Sequence, residues 1–250
     1  MMYPESATVV NRDRDALLEA LTSSQIELTG QFVAGSNYTF LVKLSSADPP
    51  LEAVYKPLRG EMPLWDFPGE SLAGREAAAY ILSEALGWNL VPPTVIREDG
   101  PFGRGSLQLF IPHDPRRNYF SMETKEKVRL RPAAVFDLLA NNADRKGSHI
   151  LLDADGHIWL IDHGLCFHAQ PKLRTVIWDF RGEPVPADLL ADIEPLLPAL
   201  EKGGALRERL KDYLSSGEIN ALAARARHIL RQPVFPQPDP WRRSYPWPLV

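Results

Sequence analysis

The chain has 250 residues, 44% of them apolar and 24% charged, and a formal net charge of −4. That size and balance suit one large domain or two small lobes around a hydrophobic core, and they exclude a whole-protein field for nucleic acid or anionic membrane. With one cysteine, Cys166, no intrachain disulfide forms, and no apolar run approaches the roughly 20 residues that span a bilayer. Residues 1–15 are polar, without the apolar stretch of a signal peptide; the lone cysteine suits a reducing cytoplasm, and a monomer is expected.

Residues 13–22 carry Ala16, Leu17, Leu18 and Leu21 at helical spacing and predict a first helix. Residues 25–32 and 38–44 read as strands flanking a hairpin tip that contains Gly35, Ser36 and Asn37. A third strand, 52–57, ends at Pro57. Residues 72–86 predict a helix closed by Gly87. Strands 94–97 and 107–111 complete a β-β-β-α-β-β order, which fits a small sheet with one helix packed on it. The rest is mainly helical. Residues 132–140 form a helix with proline near its start, and strands 150–152 and 157–161 flank the Asp155-Gly156 turn. Amphipathic helices are expected at 187–200, 205–214 and 218–230. The 23 prolines crowd the last stretch, so 233–250 is expected to be an extended tail outside the core.

Four features carry chemistry. The run Asn141-Asn142-Ala143-Asp144-Arg145-Lys146-Gly147-Ser148-His149 is dense in polar groups between elements that must be interior, where unpartnered polar groups are costly. Read blandly, it is a turn in which Asn141 or Asn142 caps the preceding helix. Asp162, at the end of an apolar strand and two residues before Gly164, can meet Asp144 across the 150–161 hairpin, and such carboxylates suit a hard cation that also binds phosphates. Lys56 on its strand and Glu76 beside the apolar stripe of the next helix can form an inward pair. Such a pair adds little stability, and holding a lysine against a phosphate is a reason to keep it. The small residues Gly35, Ser36 and Asn37 let backbone amides approach a phosphate.

Taken in order, these elements resemble the protein-kinase-like superfamily, on the atypical branch with the phosphatidylinositol kinases and HipA-type bacterial kinases. The run 141–149, the Asp162-His163-Gly164-Leu165-Cys166-Phe167 segment and Lys172-Leu173-Arg174-Thr175-Val176-Ile177-Trp178 are similar to bacterial proteins of the phosphatidylinositol 3- and 4-kinase-like family. The resemblance implies an α+β, two-lobed fold. Its parts would be a β-rich N-lobe over 1–111, a mainly helical C-lobe over 112–232 with catalytic loop 141–149 and metal loop 162–164, and the tail 233–250. It also implies an ATP-dependent phosphotransferase using Mg²⁺ or Mn²⁺, with a protein, lipid or small-molecule hydroxyl as acceptor.

Carried over by residue, Lys56 contacts the ATP phosphates and Glu76 orients it. Gln108, Leu109, Phe110 and Ile111 form the adenine hinge. Asp144, with Arg145 beside it, handles the attacking hydroxyl, and Asp162 holds the metal. The sequence departs from the pattern at His149, where the second metal ligand is normally asparagine, at Lys146, where lipid kinases carry histidine, and at Asp-His-Gly in place of Asp-Phe-Gly. These departures leave two alternatives: a nucleotide-binding pseudokinase, and transfer of AMP to protein. No strong polybasic patch supports a lipid acceptor.

Overall fold

The computed structural model describes residues 13–32, 38–45, 47, 50–62 and 64–250. The expected tip Gly35, Ser36 and Asn37 lies outside them. The first helix, α1 (Arg14–Ser23), is capped by Asp13, whose carboxylate accepts the Asp15 amide. It packs Leu17 and Leu21 into the N-lobe core.

Strands β1 (Ile26–Phe32), β2 (Thr39–Leu44), β3 (Leu51–Pro57), β4 (Thr94–Gly100) and β5 (Gly103–Leu109) make one antiparallel sheet in the order β1-β2-β3-β5-β4. β4 and β5 run closer together than the sequence suggests, because Gly103 at φ 90° supplies the left-handed turn that joins them. β5 ends at Leu109, where the chain leaves for the C-lobe. Between β3 and β4 lies α2 (Leu72–Leu86), closed by Gly87 at φ 69°. Almost every side chain of α2 is buried, because it is wedged between the sheet and the C-lobe.

The C-lobe opens with the short α3 (Thr124–Lys127) and then α4 (Arg131–Ala140), whose Pro132 sits in the first turn, where its missing N–H costs nothing. The hairpin of β6 (Ile150–Leu152) and β7 (Ile158–Leu160) turns at Gly156, and Asp153 accepts the Asp155 and His157 amides. The expected helix 187–200 is two pieces, α5 (Ala187–Ile193) and α6 (Leu196–Ala199), because Pro195 has no N–H to continue the ladder. Two more helices follow, α7 (Ala205–Leu210) and α8 (Ser216–Arg231), the latter begun by a Ser215–Glu218 capping box.

The architecture is the expected α+β pair of lobes. The expectation of a tail outside the core needs a correction. Residues 233–250 hold no helix or strand, but Phe235 is 4% exposed and joins the C-lobe core. Further along, the Leu249 carbonyl accepts the Gly147 amide at 2.8 Å, and the Ser244 carbonyl accepts those of Thr175 and the Trp178 indole. Proline-rich backbone with few internal bonds leaves its carbonyls available to dock this way. No helix among the described residues is long and apolar enough to cross a membrane.

Candidate active site

A cleft of about 460 Å³ opens between the lobes, within the size range of small-molecule sites. β3 alternates its side chains, so Val54 and Lys56 face the cleft while Ala53 and Tyr55 enter the N-lobe core. Lys56 Nζ donates to Glu76 Oε1 at 2.5 Å and to Asp162 Oδ1 at 2.9 Å. Burial alone would depress the lysine pKa, but the Asp162 and Glu76 carboxylates overcome it and hold the ammonium above its ordinary range. The same ammonium is the main cause of the low pKa of Asp162, against the opposing effect of burial. Asp162 is therefore ionised, and its side chain is 47% exposed toward the cleft.

Asp162 sits at φ 61°, in the left-handed region that non-glycine residues rarely occupy. Its backbone is held from α2: Glu76 Oε2 accepts the His163 amide at 2.8 Å. His163 is fully buried, and its Nε2 lies 2.9 Å from Arg145 Nη2. Because a guanidinium only donates, Nε2 accepts and Nδ1 carries the proton, facing Glu76 Oε2 at 3.8 Å, beyond hydrogen-bond reach. Burial keeps this imidazole neutral.

Asp144 lines the same cleft as Asp162, and its amide donates to Asn142 Oδ1. Burial raises its pKa, an effect that the ammonium of Lys146 at 3.2 Å opposes. Asn141 does cap α4, at φ 51°, and its side-chain amide also ties down the carbonyls of His168 and Gln170. The run is a cap, and it also brings Asp144 to the wall of the cleft.

Arg145 is corrected. It is 0% exposed and points away from the cleft, donating to both oxygens of Asp137, to the Ile161 carbonyl and to His163. It braces the loop from behind and has no open face for a substrate. His149 Nε2 lies 3.2 Å from Asp162 Oδ2, and its Nδ1 accepts the Lys146 amide at 3.4 Å. That places the proton on Nε2, so the imidazole presents Asp162 with an N–H, not a lone pair. Burial pushes its pKa down to about 4, so the ring is neutral near pH 7.

Gln108, Leu109, Phe110 and Ile111 all line the cleft where β5 leaves the sheet. The Leu109 and Phe110 amides are engaged by the Pro93 and Glu52 carbonyls. Among the described residues no three His, Cys, Asp or Glu side chains gather to hold a metal by themselves. Magnesium bound through one or two carboxylates plus substrate phosphates needs no such cage, and the ionised, cleft-facing Asp162 near Asp144 fits that mode.

Sequence reasoning gave no role to three participants. Lys146 enters the cleft two residues after Asp144, a spacing that in extended backbone puts both on one side. Asp137, a lone acid in an apolar helix, is the buried anchor for Arg145. Glu61, from the loop before α2, accepts the Ala73 amide and caps that helix.

The model of the phosphatidylinositol 3- and 4-kinase family matches residues 70–216, which include α2, the polar run 141–149 and the segment 162–164. "Protein Rv2133c" of Mycobacterium tuberculosis is 41% identical over 270 residues, spanning 94% of this chain and 96% of that protein. Phosphatidylinositol 4-kinase gamma 4 of Oryza sativa subsp. japonica is 30% identical over 58% of this chain and 32% of its own length. The fold is that of the Helicobacter pylori proinflammatory kinase CtkA, at a TM-score of 0.54 and 12% identity over 86% of this chain and 94% of that one. The chain therefore belongs to the phosphatidylinositol 3- and 4-kinase family, a family of phosphotransferases.

Proposed function

We propose that the protein transfers the γ-phosphoryl group of ATP to a hydroxyl acceptor. The observation that carries this reading is the convergence of Lys56, Glu76, Asp144 and Asp162 on one cleft. Lys56 leaves Asp162 for the phosphates while Glu76 keeps hold of it. Ile111, with Gln108 nearby, receives the adenine at the hinge. Asp162 would hold Mg²⁺ or Mn²⁺, which would supply charge neutralisation to the phosphates. His149 donates to Asp162 and steers its carboxylate, in place of the ligand role the sequence suggests.

In the transfer, the acceptor oxygen forms a bond to the γ-phosphorus, the bond from that phosphorus to the β-phosphate bridging oxygen breaks, and ADP leaves. Asp144 accepts or orients the hydroxyl proton, a role its raised pKa suits. Lys146 balances the charge that builds on the phosphoryl oxygens.

The test is labelling of the protein itself, or of a lysate component, with γ-labelled ATP and Mg²⁺ or Mn²⁺, compared with Asp162→Ala. No nucleotide binding and no label with either metal would sink the reading. Label from α-labelled ATP would point instead to nucleotidyl transfer. Metal-independent ATP binding without turnover would favour a pseudokinase, the reading that the N–H of His149 toward Asp162 supports.

A further inference from the structure

Helix α2 carries two consecutive buried ionic side chains, about 100° apart around its axis. Glu76 faces Lys56. Arg75, 1% exposed, faces the C-lobe and has no part in the phosphate chemistry. Its Nη1 donates to the Cys166 carbonyl at 2.6 Å, its Nη2 to Glu218 Oε1 at 2.5 Å and its Nε to Ser71 Oγ at 3.3 Å. The guanidinium lies 4.9 Å from the centre of the Phe67 ring. Glu218 is itself fixed in the first turn of α8, where it accepts the Ser215 amide and hydroxyl. A buried ion pair of this kind is often no more stabilising than apolar side chains of the same volume, so stability explains it poorly.

The positions of the bonds explain it better. The segment 162–167 begins at Asp162 and ends at Phe167, both in the left-handed region, at φ 61° and 67°. Two strained non-glycine residues persist only where the surroundings hold them. To the backbone of the segment, the end of α4 and the loop after it supply two bonds, from Ala143 N–H to the Leu165 carbonyl and from Phe167 N–H to the Ala140 carbonyl. α2 supplies the other two, gripping the segment near both ends: Glu76 at the His163 amide and Arg75 at the Cys166 carbonyl.

We propose that Arg75 is a positioning residue for the metal-binding carboxylate. With Glu218 as its counter-charge, it holds the Cys166 carbonyl and so keeps the strained segment, and Asp162 at its head, aimed into the cleft. It acts through the backbone and touches neither nucleotide nor acceptor. The inference rests on the phosphotransferase reading for its purpose, but its first test does not.

That test is hydrogen exchange on the metal-free full chain, read by mass spectrometry for wild type, Arg75→Met and Glu218→Gln. Exchange over 162–168 rises about tenfold or more in Arg75→Met and by less in Glu218→Gln, while β3 and β5 keep wild-type protection. In the second arm, Mn²⁺ binding to the ATP complex, followed by electron paramagnetic resonance, weakens about tenfold in Arg75→Met, while metal-free ATP affinity stays within about twofold. Unchanged exchange over 162–168, or an equal rise throughout the chain, would reduce Arg75 to a packing element and overturn the proposal. If Arg75→Met does not fold, Glu218→Gln decides by the same criterion. Wild-type protein that binds neither ATP nor Mn²⁺ would defeat the phosphotransferase reading, and the exchange arm would still decide whether Arg75 holds the segment.

Discussion

Lys56 donates to Asp162 Oδ1 at 2.9 Å, so the cation that suits a phosphate rests on the carboxylate that suits a metal. Nucleotide alone would draw Lys56 away and leave Asp162 uncompensated. Metal alone would have to displace the ammonium. Together each neutralises the charge that the other exposes. ATP and Mg²⁺ or Mn²⁺ should therefore bind with positive coupling of about 1–3 kcal/mol, the same in both directions. Isothermal titration of ATP with and without metal measures it. Asp162→Asn should abolish the coupling while leaving metal-free ATP binding at least as tight, because Lys56 is then freer. ATP affinity indifferent to metal in the wild type would contradict this account.

Asp144→Asn keeps the size of the side chain and removes its ability to take a proton. Turnover should fall by about 10²–10⁴-fold with the KM for ATP little changed, since the contacts proposed for adenine and phosphates lie elsewhere. Lys146→Met should lower kcat by less. Steady-state kinetics on a phosphorylated acceptor, or rates of self-labelling, separate the two. Equal losses in KM would mean that Asp144 serves binding and not the transfer step.

Much of this site is legible in the sequence because its local signals agree with its tertiary role. The alanine-rich run closed by Gly87 gives α2, and the Asp155-Gly156 turn brings the segments of Asp144 and Asp162 together. What stays hidden depends on direction. The adjacency of Asp144 and Arg145 suggests a shared task, yet successive side chains in an extended loop point opposite ways, and only the buried Asp137 shows where Arg145 goes. The role of His149 turns on which ring nitrogen carries the proton, and the Lys146 amide decides that in three dimensions. Arg75 reads as one more charge on a helix until Glu218, far along the chain, closes on it. Pro195 was a visible breaker in an apolar periodicity that runs on past it.

Arg145→Met should cost stability and only through stability reach activity. Asp137, 0% exposed, would be left without its main partner, and breaking a buried pair from one side typically costs about 3–5 kcal/mol. Denaturant unfolding should show a loss of that order. The double variant Asp137→Leu with Arg145→Met should recover part of it, because no charge is then stranded. A loss below about 1 kcal/mol would mean that the pair is loosely held.

Glu218 gives the pH test. Burial pushes its pKa up, but the Ser215 amide and hydroxyl and the Arg75 guanidinium pull it below the ordinary value of 4.5. A carboxylate whose folded pKa is depressed contributes stability that is fully present above the unfolded pKa and is lost as pH falls through the folded one. Glu218→Gln should therefore be less stable than wild type at neutral pH. The gap should close as pH drops below 4.5, where the wild-type carboxyl also loses its charge. Unfolding midpoints across a descending pH series measure this. A gap that stays constant into acid would assign the effect to hydrogen bonding of the Ser215 cap, which glutamine partly keeps. A closing gap would assign it to the charge on Glu218 that balances Arg75 behind the segment 162–167.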